Sequence, residues 1–299
     1  MHRSLLVAIF CGWGLMAFGQ YGFDAICCWG DSKTQGGHEQ VETSYPQILQ
    51  QLLFENGDSI RVFNFGANGE KSIEVMMRQG AYPLIVMPFI IPATCEEVQI
   101  SLNSQLTVPE AGCNPCVIGG VVGTIRHDWT GKSKRTLFFR RSKEGKAVDI
   151  VGPMVIITDA MMHHRNDVLI MDIGYNGGFL SIPDWISQYQ RMVNYSRCKE
   201  FIVIGRASHL YGPSDFEAQF EEAFGGRFIN LRKYYVEHGL EDAGLVPTEG
   251  DLEDIRMGIP PRSLFIDEQH ENVYGYTIKA RLVYQRLREL GILNKNIDY

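Results

Sequence analysis

The chain has 299 residues, 45% of them hydrophobic and 21% charged, with a formal net charge of -7. This is ordinary globular composition, and it excludes disordered, collagen-like and coiled-coil readings. The acidic balance argues against nucleic acid as the natural partner, because phosphate binding rests on clustered Lys and Arg, and it leaves no basic face for a membrane surface.

At the amino end, Met1-His2-Arg3 is followed by an apolar run from Leu5 to Phe18 and by the small-residue pattern Ala17-Phe18-Gly19. That is the layout of a secretory signal peptide over residues 1–19. The run is shorter than the roughly 20 residues that span a hydrocarbon core. The expectation is therefore a secreted or periplasmic protein without stable membrane insertion.

Two short apolar strands, Asp24 to Trp29 and Ile60 to Phe65, flank a segment in which Tyr45, Ile48, Leu49, Leu52 and Leu53 recur at helical spacing. This βαβ pattern predicts a parallel sheet. From about Gln79 to Met161 no helical period survives. Val98 to Leu102 alternates, glycines punctuate Gly119 to Gly123, and Thr136 to Phe139 precedes a polar turn, which together predict a small all-β module over residues 82–161. Strands then return at Asp167 to Ile173, Glu200 to Ile204 and Phe228 to Leu231. They alternate with helices at Ile182 to Val193, Phe216 to Phe224 and about Val273 to Leu290, the last stopped by Gly291. The predicted fold class is α/β: a doubly wound, flavodoxin-like parallel sheet from residues 20–81 and 162–299, with an inserted β-rich domain.

Export changes how the cysteines read. With Cys11 removed, Cys27, Cys28, Cys95, Cys113, Cys116 and Cys198 form an even set, and an oxidising compartment favours disulfides, with a local one near Cys95 preferred. Cys113-Asn114-Pro115-Cys116 could instead be half of a zinc knuckle, although no second ligand pair stands at the required spacing. Cys27 and Cys28 read as core residues.

The chemistry gathers at strand ends. Gly30-Asp31-Ser32 follows the first strand and delivers a serine to the carboxyl edge of a parallel sheet, where open α/β folds bind ligands. The second strand ends in the glycine-rich turn Phe65-Gly66-Ala67-Asn68-Gly69, whose main chain can approach a ligand closely. A later strand ends in Ile173-Gly174-Tyr175-Asn176, and Asp267-Glu268-Gln269-His270 stands at the entrance to the last helix. A carboxylate three residues before an imidazole can orient the ring and set its tautomer.

In this order the four pieces resemble the blocks of the SGNH, or GDSL-type, hydrolase superfamily, in a member with an inserted β domain. The resemblance implies Ser32 as nucleophile, His270 as general base and Asp267 as its orienting partner. It further implies an oxyanion hole from the N–H of Ser32, the N–H of Gly66 and the side-chain amide of Asn176. Lys33 departs from the leucine usual after the serine, and Gly177 from the aspartate that commonly follows the asparagine. The implied reaction is hydrolysis of O-acyl esters through an acyl-enzyme, with no metal or cofactor; His127, His163, His164, His209 and His238 show no ligand spacing with carboxylates.

The expected substrate is a small-molecule or polysaccharide ester, an acetyl or other short-chain group on carbohydrate. Tyr82, Trp129, Phe138 and Phe139 either stack on sugar or fill the core of the β module. The same residues would serve a lipase or an acyltransferase, and an idle scaffold presenting a glycan-binding module is the reading from another class.

Overall fold

The computed structural model describes residues 23–37, 41–103, 111–129 and 135–293. Residues 1–19, the expected signal peptide, lie outside them. In chain order the α/β portion opens with β1 (Ala25–Gly30), α1 (Ser32–Gln35), α2 (Tyr45–Glu55), β2 (Arg61–Gly66) and α3 (Ser72–Gln79). Eight short strands follow: β3 (Ile85–Val86), β4 (Phe89–Ile91), β5 (Val98–Ile100), β6 (Cys116–Ile118), β7 (Val121–Trp129), β8 (Arg135–Arg141), β9 (Val148–Ile150) and β10 (Met154–Val155). The chain then continues through α4 (Asp159–His163), β11 (Val168–Asp172), α5 (Ile182–Tyr195), β12 (Phe201–Ile204), α6 (Phe216–Phe224) and β13 (Phe228–Ile229). Three helices close it, α7 (Leu231–Asp242), α8 (Glu249–Arg256) and α9 (Val273–Glu289).

Five strands make one parallel sheet in the order β13-β12-β11-β1-β2. Every residue of β1 is buried, as a central strand covered on both faces requires. Pleat alternation sorts the core into two layers. Ile26, Cys28, Val168, Ile170 and Ile204 pack with Leu49, Tyr235 and Val283, so α2, α7 and α9 cover one face. Cys27, Trp29, Leu169, Met171 and Val203 pack with Val75, Trp185 and Phe220, so α3, α5 and α6 cover the other. Each such side chain contributes about 1.5–3 kcal/mol by leaving water. From β1 the chain moves to β2 on one side, whereas β11 pairs on the opposite side of β1. The carboxyl ends of β1 and β11 thus bound a switch point, where Gly30 stands level with Gly66 and Asp172.

Between α3 and α4 the chain forms small antiparallel sheets, β3 with β10, β4 with β9, and a four-stranded one in the order β5-β8-β7-β6. Their shared core holds Val86, Ile91, Ile118, Ile125, Phe139 and Ile150 and takes in Met77 from α3. Phe139 is fully buried in this core and not available as a sugar-stacking face, and Tyr82 is partly buried against it. Phe138 is half-buried beneath the Arg126 guanidinium, 5.1 Å from its ring centre, and the side chain of Trp129 lies outside what the structure describes.

Five helices fall outside those expected from spacing: the short α1 and α4, and α3, α7 and α8. Of these, α3 and α7 mix buried polar with buried apolar residues, and the buried residues of α8 are both aspartates, Asp251 and Asp254. In α3, Glu74, Arg78 and Gln79 are buried beside Val75 and Met76, and in α7 Arg232 and Gly239 are buried beside Tyr235 and Leu240. The apolar stripe is broken, so the period fades. No helix among the described residues is long and apolar enough to cross a membrane.

Candidate active site

Ser32 owes its place to what precedes it. A Cβ at Gly30 would stand 2.1 Å from Thr34 Oγ1 and 2.5 Å from the Asp172 carbonyl, so only glycine lets the chain turn this closely under the sheet edge. Asp31 then caps α1, its Oδ1 accepting from the Lys33 N–H at 3.1 Å. Ser32 follows at the first helical position, and its Oγ lies 3.0 Å from His270 Nε2.

The acid-base turn is equally local in origin. Asp267 Oδ1 accepts from the N–H groups of Gln269 and His270, at 2.7 and 2.6 Å, while its Oδ2 meets His270 Nδ1 at 2.8 Å. One carboxylate therefore folds the turn and orients the ring. The Ile266 N–H donates to the His270 carbonyl at 2.9 Å, and Phe265 bridges Glu271, closing the turn at its base. Partial burial works against the Asp267 charge, but hydrogen bonds from the His270 backbone and ring and from Gln269 outweigh it and hold the carboxyl below its usual range. The side chains of His270 and Asp267 are 21% and 53% exposed, so the unit opens to solvent.

Gly66 requires a correction. Its N–H donates to Asn64 Oδ1 at 2.9 Å and is not free for an oxyanion. A Cβ there would come within 2.0 Å of the Gln35 backbone nitrogen, so the glycine serves close packing of β2 against the nucleophile helix. Gly69, three residues on, was not singled out by the sequence. It has φ +75°, and no acceptor for its N–H, or for that of Ser32, occurs among the described residues. The signal that could have marked it is the second glycine of the turn, since positive φ at an exposed bend favours that residue. Asn176 reaches the same rim. Its Nδ2 donates to the Glu70 carbonyl at 3.0 Å and to Asp31 Oδ2 at 3.3 Å, fastening the glycine turn to the nucleophile turn.

Beneath Ser32 lies a buried chain of alternating charges. Lys33 Nζ contacts Glu271 Oε2 at 3.1 Å, Glu271 Oε1 contacts Lys279 Nζ at 2.7 Å, and Lys279 Nζ contacts Asp172 Oδ2 at 2.9 Å. Burial opposes every charge in it. For Glu271 the two ammonium groups prevail and the carboxyl falls below its usual range; for Lys279, Asp172 and Glu271 prevail and the ammonium is raised. At Lys33 burial prevails and its value is lowered, and at Asp172 burial likewise prevails and raises the carboxyl despite Lys279. Burial and the nearby Asp172 charge push Asp31 up to about 7.

The cysteines do not pair. All six described thiols are free. Cys27 and Cys28 are neighbours on β1 and point to opposite faces of the sheet, while Cys113 and Cys116 are buried in the β-rich segment. The disulfide expectation, which rested on even count and export, is not met. Four of the histidines do meet carboxylates, contrary to the spacing argument: His163 with Asp159 at 2.7 Å, His209 with Asp254 at 3.2 Å, His238 with Glu237 at 4.0 Å, and His164 with Asp167 at 2.6 Å. With Cys27, the last pair forms a group whose ligand atoms lie within 4.8 Å of one another. It sits at the amino end of β1 and β11, away from Ser32. There Asp167 is already satisfied by the Ala25 N–H, the Cys27 thiol and the His164 ring.

A surface groove of about 540 Å³ runs beside the acid-base turn, lined by Val41, Thr43, Phe265, Ile266, Val273 and Tyr274. No protein-family model matches the chain, and no curated protein matches it. Among solved structures it is similar to protein YXIM from Bacillus subtilis, at 11% identity and a TM-score of 0.42, over 92% of this chain. The chain spans 59% of the length of that structure. A likeness this weak carries no argument about the chemistry.

Proposed function

We propose that this protein is a serine esterase of the SGNH type that hydrolyses short O-acyl esters, acetyl groups on carbohydrate being the favoured class. The observation that carries the reading is the continuous contact Ser32 Oγ to His270 Nε2 to Asp267 Oδ2, at 3.0 and 2.8 Å, at the switch point of a parallel sheet. The distances lie within the range that proton transfer needs.

In this reading His270 takes the Ser32 proton as Oγ attacks the ester carbonyl, then returns it to the leaving alcohol. Asp267 keeps Nδ1 protonated so that Nε2 faces the serine. The N–H groups of Ser32 and Gly69 hold the developing oxyanion, and Asn176 contributes the hydrogen on its longer, weaker contact to Asp31. Water then enters the same path and releases the acid. Residues 82–161 are read as an inserted module, and the sugar-bearing part of a substrate lies along the open rim. An idle, glycan-binding scaffold has nothing in its favour while the three side chains stand at working distances.

The test is a panel of p-nitrophenyl esters and acetylated glycans scored for released acid. Ser32→Ala and His270→Ala should each lower kcat about 10³-fold or more with melting temperature unchanged, because removing either half of a nucleophile-base unit disables the whole. A tenth of the activity surviving in folded Ser32→Ala would refute the assignment.

A further inference from the structure

Lys33 is the residue at which the chain departs most visibly from its SGNH resemblance, and it is also among the most thoroughly engaged side chains in the molecule. It follows Ser32 directly, yet its ammonium group crosses to the acid-base turn. There Nζ donates to the Gln269 carbonyl at 2.5 Å and pairs with Glu271 Oε2 at 3.1 Å. Gln269 and Glu271 are the chain neighbours of His270 on either side. A third hydrogen goes to the Ala207 carbonyl at 2.6 Å, and the ammonium lies 4.5 Å from the centre of the Tyr175 ring, one residue before Asn176. The three N–H donors of an ammonium thus meet three acceptors. Side-chain exposure of Lys33 and Glu271 is 1% and 0%, so water does not dilute these contacts.

From this geometry we propose that Lys33 is a positioning residue: its ammonium holds the turn carrying His270 at working distance from Ser32. The proposal rests on the hydrolytic reading above. Hydrogen bonds from Asp267 set the shape of the 266–270 turn, but they lie within the turn and do not locate it relative to α1. Lys33 supplies that location, and Glu271 passes it on. Lys279 grips Glu271 from α9 and Asp172 from the end of β11, and Asp172 stands level with Gly30 in the sheet. The path closes on the residue two before the nucleophile. A leucine at position 33 would fill space but bind no carbonyl, so in this chain the work falls to a paired lysine and glutamate.

The consequence is kinetic. Proton transfer needs Oγ and Nε2 within about 2.6–3.2 Å, and a misplacement of about 1 Å costs on the order of 100-fold in rate.

The experiment uses four proteins: wild type, Ser32→Ala, Lys33→Met, and the double variant Lys33→Met/Glu271→Gln. The double variant keeps the buried chain electrically balanced. Each is melted, reacted with a fluorophosphonate serine probe and assayed on p-nitrophenyl acetate. Labelling of wild type, lost in Ser32→Ala, establishes the hydrolytic unit by itself. Lys33→Met should then react with the probe about 100-fold more slowly and lose kcat in proportion, with KM within threefold. The double variant should recover much of the melting temperature and remain slow. Probe and ester rates within threefold of wild type in the folded double variant would overturn the proposal, because the lysine would then serve charge balance alone. Absence of Ser32-dependent labelling in wild type would instead overturn the hydrolytic reading, and the proposal with it.

Discussion

Replacing Glu271 by glutamine tests whether the buried charge chain holds this fold together. Glutamine keeps the volume and removes the one anion lying between two ammonium groups, at 3.1 Å from Lys33 and 2.7 Å from Lys279. At these separations each pair is worth about 5–6 kcal/mol for an effective dielectric constant of about 20, and the variant recovers several kcal/mol of carboxylate desolvation. Removal of one partner from a buried pair nets about 3–5 kcal/mol of destabilisation. For a chain of this size that corresponds to roughly 5–8 °C in melting temperature. The sign of the pH dependence is also defined. The Glu271 carboxyl lies below its ordinary value because Lys279 and Lys33 overcome the burial that opposes its charge. Its contribution is therefore present above the ordinary carboxylate value of about 4.3 and is lost as pH falls through the lower folded value. Thermal melts followed by circular dichroism at pH 8 and in an acid series read this directly. The gap between wild type and Glu271→Gln should be widest near neutrality and close in acid. A gap under 2 °C at pH 8, well below the roughly 5 °C minimum, or one that widens on acidification, would refute the reasoning.

Asp267→Asn keeps the turn's size but weakens its grip on the ring, and should lower kcat about 10–100-fold, less than loss of serine or histidine, with little change in KM. Gly66→Ala forces a Cβ to within 2.0 Å of the Gln35 nitrogen. Because the obstacle is backbone, the variant should lose about 3 kcal/mol in urea unfolding and lose activity as α1 shifts; an unchanged unfolding midpoint would contradict the close packing. In the native protein a thiol reagent should react readily with the half-buried Cys95 and Cys198 and reach Cys27, Cys28, Cys113 and Cys116 only on denaturation. A mature protein in which no thiol reacts even after denaturation without reductant would show that the cysteines pair.

Much of this protein is written locally. The inner strands β1, β11 and β12 announce themselves as apolar runs because they are buried on both faces, and α2, α5, α6 and α9 keep enough of the helical period to be seen. The acid-base turn is legible for the same reason: Asp267 folds the turn and orients His270 through contacts no more than three residues apart. What the tertiary structure decided lies in partners far away in the chain. Arg78 makes α3 look polar until Glu70 and the Phe65 carbonyl are placed against it. Gly66 was expected to offer a free N–H, and only the placement of the Asn64 side chain shows that this N–H is occupied. The six cysteines suggested pairing by number, but all six are free: Cys27 and Cys28 alternate to opposite faces of β1, and Cys113 and Cys116 are unpaired within one core. Lys33 stands out in the sequence only as a departure from leucine, and its partners at 207, 269 and 271 reach it only through the order of the parallel sheet. Periodicity and turn chemistry are properties of a few consecutive residues, whereas the meeting of Lys33 with Glu271 depends on the placement of every strand and helix between them.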